Sequence, residues 1–259
     1  MQRIAALMVL LVGCGGDDSS AMPDVYVNPG PDYDLSCLNN MITTVPTTLT
    51  LESTLYDFTT ATLAPVPSAT ITAYKLSDAT EITSAMTDMD GKATMEIPTT
   101  GTPYRIYSST EATGFVRSRH FVNIPPWKSQ PGATIAVKQA RLDAIATALG
   151  ATLDPAMGVL EVWSNDCSAK GELPGATVQL DGAATQWAMF GGQGTWIPRD
   201  TTLGSVNNLR SGSIAGKVNV APGMHTVTVA AEGLSLTSTV LVEANTWTTI
   251  VMVPGHPLN

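Results

Sequence analysis

Apolar and polar positions alternate with a period of two along most of this 259-residue chain, the period of a strand with one buried face. From Thr47 the run TLTLEST alternates, and ATITAYK sets Ile71 and Ala73 on one face with Thr70, Thr72 and Tyr74 on the other. β-branched and aromatic residues dominate these runs, as a half-buried pleated surface favours. KATMEIP, YRIYSS and FVRSRHFV follow, after a turn signal at Asp88-Met89-Asp90-Gly91. The pattern resumes at Gly158 with VLEVW, ATVQL, KVNVA, HTVTVAA, LSLTSTVLVE and TWTTIVMV. Between the blocks lies PPWKSQPG, a proline-rich break, and then the period changes. In VKQARLDAIATALG, Leu142, Ile145, Ala146 and Leu149 share a helical face, and Gly150 is a C-terminal stop. Short strands spaced by turn residues predict antiparallel sandwiches, with one short helix packed at their junction.

The two β blocks repeat one another. Pro67-Ser68-Ala69-Thr70-Ile71 aligns with Pro174-Gly175-Ala176-Thr177-Val178, and the stretch Gly91–Pro98 with Gly216–Pro222. An alternating strand follows each, and Glu111 with Gly114-Phe115 parallels Glu232-Gly233-Leu234. This arrangement resembles carboxypeptidase regulatory-like domains, which are prealbumin-like (transthyretin-like) Greek-key sandwiches and non-catalytic modules. The resemblance implies an all-β fold of two antiparallel Greek-key β-sandwich domains in tandem with one short connecting helix. The sandwiches would span 47–125 and 158–254, and 126–157 would be a linker carrying the helix. In the second block Ala215 replaces the Asp that precedes the Gly-Lys turn in such domains, so no role for that carboxylate carries over.

The N-terminus has a different pattern. Arg3 precedes an apolar run from Ile4 to Gly13, the length of a signal h-region and too short for a membrane-spanning helix. Leu11-Val12-Gly13-Cys14 resembles the bacterial lipobox, which implies cleavage after residue 13 and acylation of Cys14. One acyl chain anchors weakly and several anchor stably. Residues 1–13 are therefore expected to be a lipoprotein signal peptide, and 14–46 the lipidated cysteine with a Pro- and Asp-rich linker. The expected location is the outer membrane, because Gly15 and not Asp follows the cysteine. A net charge of −9 argues against nucleic acid as a partner, and 44% apolar residues suffice for real cores. With Cys14 acylated, Cys37 and Cys167 remain as a pair, most simply a disulfide in an exported protein.

Candidate chemistry is sparse. The second block is longer than the first, and its extra residues include Trp187, Phe190 and Trp196 among glycines. These aromatics either form a stacking platform for a glycan or peptide, or close the sandwich edge as core. Asp88 and Asp90 fit a hairpin turn better than a calcium loop, which needs six to eight oxygens. His120, His225 and His256 are scattered, without HExxH or GxSxG. Some intradiol dioxygenases share a sandwich of this type and bind iron with two Tyr and two His, but no clustered Tyr/His motif occurs here. We therefore expect no catalytic residues, no metal and no cofactor. The expected role is a lipid-anchored envelope module with a structural or protein-interaction function, its partners being the membrane through the anchor and an envelope protein or glycan. A hydrolase assembled from distant residues would need His120 or His225 beside a Ser and an Asp in one pocket.

Overall fold

The computed structural model describes residues 34–59, 63–167, 173, 176–190, 195–198, 214–231 and 234–256. The first half supplies β1 (Thr48–Asp57), β2 (Ala64–Pro65), β3 (Thr70–Lys75), β4 (Glu81–Met86), β5 (Lys92–Pro98), β6 (Ile106–Glu111), β7 (Ser118–Val122) and β8 (Gln130–Ala136). Helix α1 (Gln139–Ala148) follows. The second half supplies β9 (Gly158–Ser164), β10 (Thr177–Leu180), β11 (Ala183–Ala184), β12 (Trp187–Phe190), β13 (Thr195–Pro198), β14 (Ile214–Val220), β15 (Gly223–Ala231), β16 (Leu234–Val242) and β17 (Trp247–Met252).

Pairing repeats from one half to the other. In the first, β5 and β8 flank β1, with β8 running parallel to it. In the second, β14 and β17 flank β9, with β17 running parallel to it. The order β4-β3-β6-β7 is likewise matched by β11-β10-β15-β16. Each half is thus a two-sheet, mainly antiparallel sandwich. The all-β tandem architecture with one short helix holds among the described residues.

The halves also fuse edge to edge, which no periodicity announces. β7 pairs in parallel with β17, from Ser118 opposite Trp247 to Val122 opposite Val251. Nine strands therefore form one sheet in the order β13-β12-β14-β9-β17-β7-β6-β3-β4. One of its faces packs on β10, β15 and β16 through Tyr107, Phe121, Leu160, Val162, Ile250 and their partners Val178, Val227, Val229 and Val240. The opposite face meets β1, β5 and β8 at one end, where Ile71 and Ala73 pack on Leu49, Leu55, Met95 and Ile97. At its other end that face carries α1.

α1 forms where the period changes to that of a helix. Leu142, Ile145 and Ala146 are its buried residues, packed against Val159, Trp163, Ile214 and Trp247. The helix stops as Gly150 turns to φ +63°, and the Ala151 N–H reaches back to the Ala146 carbonyl, satisfying an orphan acceptor of the last turn.

Three local differences have physical causes. β8 lies beyond residue 125 and begins inside the proline-rich break, because Pro131 sits on an edge strand where a missing N–H costs little. Asp88 Oδ1 accepts the N–H groups of Asp90 and Lys92, and Gly91 at φ +73° approaches Leu55 so closely that a Cβ would lie 2.7 Å from its carbonyl oxygen. This is a tight turn but not the expected hairpin, because it carries the chain from β4, paired with β3 in one sheet, to β5, paired with β1 in the other. In the second half the aligned Gly216 lies within β14, opposite Glu161, because the strand starts at Ile214.

Candidate functional site

Cys14 lies outside the described residues. Cys37 and Cys167 are bridged with Cα atoms 5.4 Å apart, across a separation of 130 residues. The bridge belongs to a larger clamp. The Cys167 N–H donates to the Asp34 carbonyl, Asn40 Nδ2 donates to the His256 carbonyl at 2.7 Å, and the His256 N–H donates to the Asn40 carbonyl. Gly255 packs so tightly on Cys37 that a Cβ there would lie 2.1 Å from the Cys37 carbonyl oxygen. The end of the N-terminal linker is thus fastened to both the second sandwich and the C-terminal residues. His256 is buried in this clamp, with Nε2 3.3 Å from the Pro125 carbonyl oxygen.

Trp187 and Phe190 lie on β12 and Trp196 on β13. In the β12–β13 pairing Trp187 is opposite Pro198 and Met189 opposite Trp196. These aromatics therefore belong to strands that extend the long sheet beyond β14. His225 is fully engaged, with Nδ1 2.6 Å from Asp181 Oδ2 and Nε2 2.7 Å from the Ala221 carbonyl oxygen. No group of three His, Cys, Asp or Glu among the described residues could hold a metal ion, and no helix there is long and apolar enough to cross a membrane.

What the sequence did not single out is a cavity of about 240 Å³ at the junction of the two sandwiches. Its walls come from β1, β3, β5, β6, β7, β8, β9 and β17, with the 124–127 segment beside them. Apolar side chains predominate, including Leu51, Met95, Ile106, Val251 and Trp163. His120 and Trp127 line it as well, and His120 Nε2 and Trp127 Nε1 are both shielded from solvent without a hydrogen-bond partner among the described residues. Burial pushes the His120 imidazole down to about 3, so the ring is neutral at physiological pH. Ser108 stands opposite His120 in the β6–β7 pairing and shares the cavity. The described lining contains no Asp, so the grouping a hydrolase would need is not assembled there.

Behind the cavity a polar row crosses the sheet. Thr249 is opposite His120 on one side and Glu161 on the other. Glu161 is fully buried, and burial raises its carboxyl to about 7. The indole N–H groups of Trp163 and Trp247, the Arg141 guanidinium and the Thr249 hydroxyl favour the ionised form but do not offset that cost. Thr249 Oγ1 accepts the Trp247 indole N–H at 2.9 Å and lies 3.4 Å from Glu161 Oε2. A sequence signal for this row existed: Ser118 and His120 alternate with Arg117 and Arg119, which makes both faces of one strand polar.

A second hollow, of about 290 Å³, opens between α1 and residues 153–158. Polar groups along it are already engaged. Asn219 Oδ1 accepts the Asp154 N–H, and Asp143 Oδ1 accepts from Gln139 Nε2. The junction cavity is the better candidate, because it presents polar atoms with nothing to bond.

No family model and no curated protein matches the chain. Among solved structures, the shaft pilin SpaA of Lactobacillus rhamnosus GG aligns at 12% identity over 82% of this chain and 100% of its own, with a TM-score of 0.26. The TIE protein of Bacillus anthracis aligns at 16% identity and TM-score 0.26, over 79% of this chain and 33% of its own length, so the chain spans about a third of that protein. The 3-chlorocatechol 1,2-dioxygenase of Rhodococcus opacus 1CP aligns at 13% identity and TM-score 0.27, over 47% of this chain and 72% of its own. Likenesses this distant carry no inference about what the chain does.

Proposed function

We propose that this is an exported protein, cleaved before Cys14 and lipid-anchored there in the outer membrane. Its two sandwiches, read as carboxypeptidase regulatory-like modules, have a non-catalytic structural or interaction role at the cell envelope. The observation that carries this reading is the Cys37–Cys167 bridge. Disulfides persist in oxidising compartments and are rare in the cytosol. This one also sits where an anchored protein needs strength, holding the end of the linker to the body. In the chain-entropy model a bridge closing so long a loop stabilises by about 5 kcal/mol.

Intact mass tests the reading, on protein recovered from membranes of a Gram-negative host expressing the full chain. The expected species is residues 14–259 plus acyl chains, two hydrogens heavier after reduction, with Cys14→Ser neither acylated nor cleaved before residue 14. An unmodified full-length chain in the soluble fraction overturns it.

A further inference from the structure

We infer that the junction cavity is a binding site for a small, uncharged and mainly apolar molecule of about fused-bicyclic aromatic size that carries one hydroxyl or carbonyl group. The inference is independent of the lipid anchor and goes beyond the envelope role.

Size comes first. An apolar cavity of roughly 150 Å³ holds benzene, so about 240 Å³ accommodates a second ring. Polarity comes next. His120 Nε2 and Trp127 Nε1 are polar atoms removed from water with no protein partner. Leaving such atoms unsatisfied is costly, and buried polar groups in native structures are nearly always bonded. The Trp163 indole N–H is a third such atom on the same wall, and a ligand oxygen in the cavity accounts for an orphan by accepting from an indole N–H or bonding the imidazole. A bound water would satisfy the same atoms, but the largely aliphatic and aromatic walls leave the rest of the space unsuited to water.

Charge sets the class. The described lining has no Lys or Arg, and its one charged residue is Glu52. Burial keeps His120 neutral, so no cation is in place to offset a carboxylate. Location agrees as well, because ligand pockets favour domain interfaces and this one uses walls from both sandwiches.

Fluorescence and calorimetric titration of the full-length Cys14→Ser chain test the site with three probes. 1-Naphthol is expected to bind, naphthalene to bind about tenfold more weakly for want of the hydrogen bond, and 1-naphthoate not to bind measurably. His120→Leu is expected to keep naphthalene binding and to lower the naphthol-to-naphthalene affinity ratio, a change that unfolding could not mimic. Ser108→Leu, which fills the space, is expected to abolish binding of both while retaining a cooperative melt. No 1-naphthol binding, naphthoate as tight as naphthol, or affinities untouched by both substitutions each overturn the assignment.

Discussion

Two titratable side chains that flank Thr249 from opposite sides of β17 have opposite linkage to stability. Glu161, raised from 4.5 to about 7, is protonated in the fold while its unfolded counterpart has already ionised. Its contribution is complete below about 4.5 and lost as pH rises through about 7. His120, lowered from 6.5 to about 3, behaves in reverse. Its contribution is complete above about 6.5 and lost as pH falls towards 3. Across pH 4.5–6.5 the two slopes cancel. Urea denaturation in that window should therefore show Glu161→Gln gaining stability with pH relative to the parent, at about 1.4 kcal/mol per unit. His120→Leu should lose stability with pH at a similar slope. Parallel curves for parent and variants would mean that neither group is held in its neutral form.

At the level of single elements, β16 is the most exposed liability. It is an edge strand of nine residues, Leu234–Val242, without a charge or a proline, and such an edge is a template for pairing with another chain. Arg105 covers its middle. One guanidinium nitrogen donates to Ser238 Oγ at 2.7 Å, to the Thr239 carbonyl at 3.4 Å and to the Val122 carbonyl at 3.3 Å. Arg105→Ala removes that cover, with an expected cost of about 1–3 kcal/mol and concentration-dependent association on size-exclusion chromatography with light scattering. A variant that stays monomeric at all concentrations would show that Arg105 does not guard the edge. Strands of this kind were legible from the sequence because alternation records which face is buried. β8 was not, since Pro131 and Gly132 interrupt its pattern. Nor was the β7–β17 seam, because a period of two says nothing about which strand lies alongside. The candidate cavity was hidden for the same reason: its walls come from strands far apart in sequence, and His120 looks like any isolated histidine until Trp127 and Thr249 are set beside it.

For the whole molecule, the seam decides whether two similar sandwiches behave as one body. Tyr74, Tyr107 and Phe121 stack in series, with centroids 5.1 and 4.8 Å apart. Tyr107 and Phe121 are first-half residues buried in the core of the second half, among Leu160, Val162 and Ile250. Arg119, over the Tyr107 ring, adds an ion pair to Glu243 at 2.5 Å. Backbone pairing, apolar burial and charge thus cross the same boundary, where tandem modules ordinarily share only a small polar interface. The disulfide-intact chain should therefore unfold in one transition, with calorimetric and van't Hoff enthalpies in a ratio of about one. Phe121→Ala, which empties the centre of the shared core, should cost about 3–5 kcal/mol. Hydrogen exchange distinguishes the alternatives: if the halves are coupled, protection falls together in β3 and in β15, although neither strand pairs with β7. If β15 keeps its protection while β3 loses it, the sandwiches fold as neighbours and the nine-stranded sheet is a contact between two stable units.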